Sequence, residues 1–421
     1  MLGATLLASP ESWSRQPELN RLMMDLKDYQ KATDSETLLV KDESYWGLIR
    51  TFFSPQTKFV NLENGYFSPQ PQSTLNTFTH EASALNDLNS YYMRNRQNDT
   101  MAAAKKALSA FSGLPEDEFT ICRNTTEALD TIIHGYPWKP GDEVILSHQD
   151  YGSMQAAFKQ EARRRGIKLN YIELPLNPGS DLEIIDVYEA AITPKTKMML
   201  VTHLINLTGQ ILPAKALTEM AHSHGVEVML DSAHSFAHIE FNTKELGVDY
   251  MGTSLHKWLC CPLGLGLMYI RKDHIEKVWP LFGDNDRETD DIRKFEHWGT
   301  RPVSAIATIP EAIKFHNSIG GKLKKERLSY LKEAWLKTAS QIGNKFASNT
   351  PKDHHRSCAI ANFAIDGIKP NDLAKVLMEE HNIFTVAINS PEVNGVRVTP
   401  HLYTSMDEIQ QLSKAIDQLC S

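Results

Sequence analysis

Glu227-Val-Met-Leu-Asp-Ser-Ala-His234 and Tyr250-Met-Gly-Thr-Ser-Leu-His-Lys-Trp258 decide how this chain is read. Each opens on a short apolar run suited to a buried strand and closes on polar residues at its carboxyl end. Working outward, the texture recurs in strands expected at 119–122, 143–147, 168–173, 198–203, 227–231, 250–253 and 266–270. Between them the sequence predicts helices near 126–134, 153–165, 214–223 and 233–238. Strand–helix alternation of this kind predicts an α/β fold built on a mostly parallel sheet covered on both faces.

The flanks differ. Residues 17–53 read as helical, with Leu19, Leu22, Met23, Leu26 and Tyr29 at helical spacing, and 59–65 as a short strand ending in a turn. Helices are expected at 74–89 and 100–111, the second stopped by Gly113 and Pro115. Past Arg301 come helices at 309–319 and 324–342, a strand at 359–365, a helix at 371–380 and a strand at 396–399. The expected organisation is an N-terminal helical segment over 1–58, a large domain over 59–300 and a small α+β domain over 301–421.

Composition narrows the function classes. The 421 residues carry 44 Lys+Arg against 52 Asp+Glu, a net charge of −8, and 41% hydrophobic residues, which excludes a disordered chain. Mild acidity argues against nucleic-acid binding, which needs a concentrated basic surface. No apolar run is long enough for a transmembrane helix. The five cysteines are scattered and form no C-x-x-C pair, so neither a disulfide framework nor a structural zinc site is expected. Met1-Leu-Gly-Ala-Thr-Leu-Leu-Ala-Ser-Pro10 has the apolar character of a signal peptide without its basic part. A cytoplasmic protein is expected, or an exported one if a basic leader precedes this start.

Ligands of open α/β sheets bind beyond the carboxyl ends of the strands. Three features fall there. Arg123-Asn-Thr-Thr-Glu127 opens a helix with free N–H groups beside the hydroxyls of Thr125 and Thr126, a setting that favours phosphate. Asp231 ends an apolar strand, where it either caps a helix or holds a proton on a heteroaromatic nitrogen. Lys257, 26 positions on, precedes the apolar Pro262-Leu-Gly-Leu-Gly266, and desolvation there favours the neutral amine. Each signal is weak alone. Together they are the anchors that pyridoxal 5'-phosphate requires: a phosphate cradle, an acid for the ring nitrogen and a lysine.

On these residues the chain resembles the class V aminotransferases, fold-type I pyridoxal-phosphate enzymes, and within them the isopenicillin N epimerase-like branch. The motifs carrying the resemblance are Asn61-Leu-Glu-Asn-Gly-Tyr66, Arg123-Asn-Thr-Thr-Glu-Ala128, Thr202-His-Leu-Ile-Asn-Leu-Thr-Gly209, Asp231-Ser-Ala-His234, Ser254-Leu-His-Lys-Trp258 and Arg397-Val-Thr-Pro-His-Leu-Tyr403. The resemblance implies that Lys257 holds the cofactor and shuttles the Cα proton. It implies Asp231 at the pyridinium nitrogen, His234 and Asn206 at the phenolic oxygen, and Tyr151 stacked on the ring. Thr125, Thr126, Ser254 and His256 would cradle the phosphate, and Thr300 would reach the phosphate of the other subunit of a homodimer. Arg397 would bind the substrate α-carboxylate. The side-chain pocket is expected to draw on 64–67, with Asn64, on 91–96 and on the loop 385–395; Arg94 and Arg96 there suit a second carboxylate or, more simply, surface pairs.

The implied activity is chemistry at Cα of an amino acid through an external aldimine, as an aminotransferase or epimerase. A C–S β-elimination lyase is the alternative. Cysteine desulfurases carry a nucleophilic cysteine shortly before the arginine motif, and 385–395 here has none. A non-catalytic binding protein is disfavoured by the intact Lys257, Asp231 and Arg397. His234 and His238 have the i, i+4 spacing of metal ligands, but His234 is not followed by Glu as in H-E-x-x-H, and no metal is expected. The 353–356 stretch reads as a solvated loop.

Overall fold

The computed structural model describes residues 16–33, 36–55, 58–283 and 287–421, so the leader-like Met1–Pro10 stretch lies outside the described residues. After β1 (Val60–Asn61), the strands β2 (Phe119–Cys122), β3 (Glu143–Ser147), β4 (Lys168–Ile172), β5 (Thr196–Thr202), β6 (Glu227–Asp231), β7 (Tyr250–Ser254) and β8 (Gly266–Ile270) follow in the chain. The last seven form one sheet in the order β2-β8-β7-β6-β5-β3-β4. Neighbours pair in parallel from β4 through β7, and only β8 runs against the rest.

Strand alternation builds the two cores. Along β5, Met198 and Leu200 point into one cluster and Met199 and Val201 into the other, and β6 divides Met229 from Val228 and Leu230 likewise. Both faces are therefore covered, which is why these strands read as continuous apolar runs. The helices settle closely where residues are small: a Cβ on Gly252 of β7 would meet Leu129 of the Thr125–Gly135 helix at 2.8 Å.

The C-terminal part is a second layer. Strands β9 (Phe346–Ser348), β10 (Ala361–Ile365), β12 (Val386–Asn389) and β13 (Asn394–Val398) form an antiparallel sheet in the order β12-β13-β10-β9, while β11 (Ile383–Phe384) pairs with β1. Helices Gly321–Ala339, Pro370–His381 and Met406–Cys420 cover it, and a third core including Trp335, Phe363, Leu377 and Leu412 lies between.

The chain crosses the boundaries expected from sequence. Val60 and Leu62, expected to begin the large domain, pack in the third core beside the C-terminal sheet. The Ile309–Ile319 helix, expected in the small domain, buries Ile309, Ala312 and Phe315 in the large core. The N-terminal helices Gln16–Ala32, Glu36–Lys41 and Glu43–Arg50 are also integral, with Leu26, Tyr45, Trp46 and Ile49 in that core. Arg327, fully buried, clamps them by donating to Val40 O at 3.1 Å and Glu43 Oε1 at 2.6 Å. The helix expected at 74–89 runs on to Asn95 through a kink at Asn89, whose φ is 40°.

The helix expected at 233–238 is absent. Residues 233–238 form successive turns, with Ala237 at φ 58° interrupting the helical ladder. Every residue from Asp231 to Ile239 is buried, so packing on all sides overrides a weak local preference. Among the described residues no helix is long and apolar enough to cross a membrane.

Gly209 joins the two layers: its φ is 79° and a Cβ there would lie 1.9 Å from Ile360 O. Gly209→Ala is expected to destabilise the fold by about 3 kcal/mol. Urea unfolding measures this, and an unchanged midpoint would show that the turn is free to move.

Candidate active site

The carboxyl ends of β2, β3, β5, β6 and β7 lie along one edge of the sheet, and a cleft of about 390 Å³ opens there. β2 delivers Asn124, Thr125 and Thr126, and β3 delivers Tyr151. β5 delivers Thr202 and Asn206, β6 delivers Asp231, Ala233 and His234, and β7 delivers Ser254, His256 and Lys257. Nine of the positions expected from sequence thus meet in one cleft, because parallel strands bring all their carboxyl ends to one side.

At one end stands the start of the Thr125–Gly135 helix. Asn124 caps it, its Oδ1 accepting from Glu127 N at 2.9 Å, while Glu127 reaches back to Arg123 N at 2.6 Å. Ser254 Oγ accepts from Thr125 N at 3.0 Å and lies 2.7 Å from Thr125 Oγ1, joining β7 to the helix start. The Thr126 amide has no partner among the described residues, and the helix dipole adds positive character, so the corner suits a phosphate. Gly266 permits this approach: a Cβ there would stand 2.7 Å from Asn124 Cα. His256 lines the same end with its buried Nδ1 unpartnered, and its pKa falls to about 4 through burial and the Lys257 charge.

In the middle, Lys257 Nζ lies 3.0 Å from His234 Nε2. Trp258 Nε1, which can only donate, faces His234 Nδ1 at 3.5 Å. That orientation makes Nδ1 the acceptor and places the imidazole proton on Nε2, directed at the lysine nitrogen. The imidazole is then neutral, and the lysine nitrogen accepts its proton whenever the amine is uncharged. Burial is the first cause: it lowers the Lys257 pKa to about 8, with Asp231 opposing and Arg397 adding to the fall. Burial and the Lys257 charge likewise hold His234 well below its ordinary value.

Asp231 is buried and accepts one hydrogen bond, from Ala233 N at 2.9 Å, and burial raises its pKa. Such a carboxylate is short of donors, and a protonated heteroaromatic nitrogen would supply one. Behind it Asp150, also buried, accepts from Thr202 Oγ1 at 2.6 Å, and its pKa is pushed up to about 7, mainly by burial. Asn206 Oδ1 is buried and unpartnered at the cleft wall. A phosphate corner, an amine near neutrality, a donor-poor carboxylate and an open amide together match the groups of pyridoxal phosphate.

Arg397, expected at the substrate carboxylate, lies behind Asn206 rather than in the lining of the cleft. Its Nη1 donates to Asn206 O at 3.1 Å, and its Nη2 and Nε contact the Glu63 carboxylate at 2.5 and 3.3 Å. Asn64, expected at the substrate, does not line the cleft. Its Nδ2 donates to Thr399 O at 2.9 Å and its Oδ1 accepts from Tyr403 Oη at 2.6 Å, so its amide is used in fixing the turn. Thr300 is exposed and outside the cleft of its own chain, as are Arg94 and Arg96. His238 has both ring nitrogens engaged, Nε2 accepting from Ala359 N at 3.1 Å and Nδ1 facing His234 O at 2.8 Å. Tyr66, from the 64–67 stretch expected at the substrate, does stand at the cleft mouth, whereas sequence reasoning passed over Leu263 beside it, Asp150 behind it and Glu63. Tyr66 and Glu63 stand inside the Asn61–Tyr66 motif, but nothing local shows which of its residues face Arg397.

The family model for aminotransferase class V matches residues 67–412. The chain belongs to this family and is a pyridoxal-phosphate-dependent enzyme of fold type I. It is 25% identical over 378 residues to isopenicillin N epimerase of Streptomyces clavuligerus, covering 86% of this chain and 94% of the relative. It is 28% identical over 323 residues to a probable cysteine desulfurase of Halalkalibacterium halodurans, covering 72% and 77%. Among solved structures it superposes with a TM-score of 0.80 on C-DES, a cystine C–S lyase carrying glycine covalently linked to its pyridoxal phosphate. That pair is 21% identical and covers 87% of this chain and 98% of C-DES.

The rate at which the cofactor-free protein takes up pyridoxal phosphate is expected to rise with pH through about 8, because the neutral amine is the nucleophile. Asp231→Asn removes a charge that favours protonated Lys257, so its inflection moves to lower pH. Stopped-flow absorbance measures both, and an inflection near the ordinary lysine value would mean the amine stands in water.

Proposed function

We propose that the protein removes and returns the Cα proton of an α-amino acid, as an epimerase or an aminotransferase. The observation that carries this reading is Lys257, half-buried with an amine that changes charge near pH 8, set between neutral His234 and the donor-poor Asp231. An amine so placed both combines with an aldehyde and moves a proton at neutral pH. Bound there, pyridoxal phosphate supplies the electron sink that stabilises negative charge at Cα.

In this reading Asp231 holds the proton on the ring nitrogen, and His234 and Asn206 flank the phenolic oxygen. Thr125, Thr126, Ser254 and His256 hold the phosphate, and Tyr151 covers one face of the ring. Arg397 receives the α-carboxylate, for which a guanidinium is suited by its paired donors. The cysteines speak against desulfurase chemistry. None of the five lines the cleft, and burial raises the thiol pKa of Cys260 to about 11 and that of Cys358 above its ordinary value.

We further infer a homodimer in which Thr300 reaches the partner's phosphate. Its exposure supports this, as does the nearby exposed apolar stretch of Trp279, Leu281 and Phe282. Sedimentation is expected to give twice the 47.5 kDa chain mass, and a monomer that binds the cofactor fully would remove Thr300 from the site.

The test is a panel of amino acids in heavy water. Deuterium at Cα with inverted configuration indicates an epimerase, and a keto acid indicates an aminotransferase. A keto acid with a released β-substituent indicates the alternative, a C–S lyase. Exchange with none of the panel would overturn the proposal. Lys257→Ala is expected to slow Cα exchange by roughly 10²–10⁴-fold or more.

A further inference from the structure

We propose that Glu63 is a positioning residue for the substrate carboxylate, locking Arg397 by one edge so that its other donors stay available. The proposal rests on the reading of Arg397 given above and adds a residue to it.

A guanidinium has five N–H donors in a rigid plane. Here Nε and one N–H of Nη2 are taken by the two oxygens of Glu63, and one N–H of Nη1 by Asn206 O. Two remain, one on each terminal nitrogen, the number a carboxylate accepts from the end of an arginine. The Glu63 carboxylate is itself fixed, because its Oε1 also accepts from Tyr66 N at 3.0 Å.

The backbone holds this arrangement in register. Glu63 bridges Thr399 in parallel, with Thr399 N donating to Leu62 O at 2.7 Å, so the Glu63 turn lies beside the end of β13, which bears Arg397. Gly65 closes the turn over the guanidinium: a Cβ there would lie 3.2 Å from Arg397 Cζ and Nη2. Both side chains of the pair are nearly buried, at 6% and 9% exposure. A buried ion pair of this kind contributes little net stability, and its best use is to fix one geometry.

The pair also sets the charge that a substrate meets. Glu63 balances the arginine, so an incoming carboxylate is recognised through two directed N–H groups rather than through an unopposed positive charge. Glu63→Gln keeps the shape but turns one acceptor into a donor facing Arg397 Nε–H, which frees the guanidinium to rotate.

The experiment titrates the cofactor-loaded protein by absorbance with L-alanine and with ethylamine, the same molecule without its carboxylate. Glu63→Gln is expected to weaken L-alanine roughly tenfold and leave ethylamine within about twofold. Glu63→Ala is expected to weaken L-alanine further, and thermal unfolding checks that each variant is folded. If Glu63→Ala instead tightens L-alanine, the glutamate occupies the carboxylate's own place and the proposal falls. An equal loss for both ligands means a merely structural role and also overturns it. Arg397→Ala runs in parallel: if it leaves L-alanine unchanged, the reading of Arg397 fails first, whereas loss with Arg397→Ala but not Glu63→Gln removes only the role of Glu63.

Discussion

A lysine amine withdrawn from water and set 3.0 Å from an imidazole is unfavourable if either group is charged alone, and the rest of the site depends on how that is resolved. The chain makes the neutral form of both accessible. Burial lowers each pKa, Trp258 orients the imidazole, and Asp231 supplies the opposing charge that keeps Lys257 near neutrality rather than far below it. The result is an amine able to act as nucleophile and as proton carrier without a large change in its surroundings.

The parallel sheet makes this possible. Asp231 and Lys257 belong to the ends of adjacent strands, and the phosphate corner belongs to β2, which runs the same way two strands from β7. Strand ends leave backbone groups and side chains free of the ladder, so polar residues gather there without disturbing the two apolar cores below. Ser254 shows how tight the coupling is, since one hydroxyl connects the β7 end to the helix start.

In the proposed reading the second layer contributes recognition. Arg397 arrives on β13 of the small sheet, is held by Glu63 from the chain's first strand region, and touches the large domain through Asn206 O. The wall of the cleft is therefore a joint between layers. Movement of one against the other would shift Arg397 relative to Lys257, and the close approach of Gly209 to Ile360 O resists it.

How much was legible in advance follows from what is local. Strands β2 to β8 were readable because a strand buried on both faces has to be a short apolar run. The Asp231 and Lys257 candidates were legible only in combination, since an Asp at a strand end often just caps a helix. The Asp231 and Lys257 pair rests on that combination, while His234, Asn206 and Tyr151 came only through the family resemblance. Other features depend on residues far apart in the chain. Glu63 meets Arg397 across 334 positions, and Asn64 gives its amide to Thr399 and Tyr403. Residues 233–238 form turns because buried neighbours surround them, and β1 joins the C-terminal layer because β11 is its ladder partner there. The sequence by itself determined the sheet and which side chains end its strands, since periodicity and strand ends are local. Tertiary structure alone decided which polar groups were used up within the protein and which were left for a ligand, because that balance depends on every neighbour packed around them.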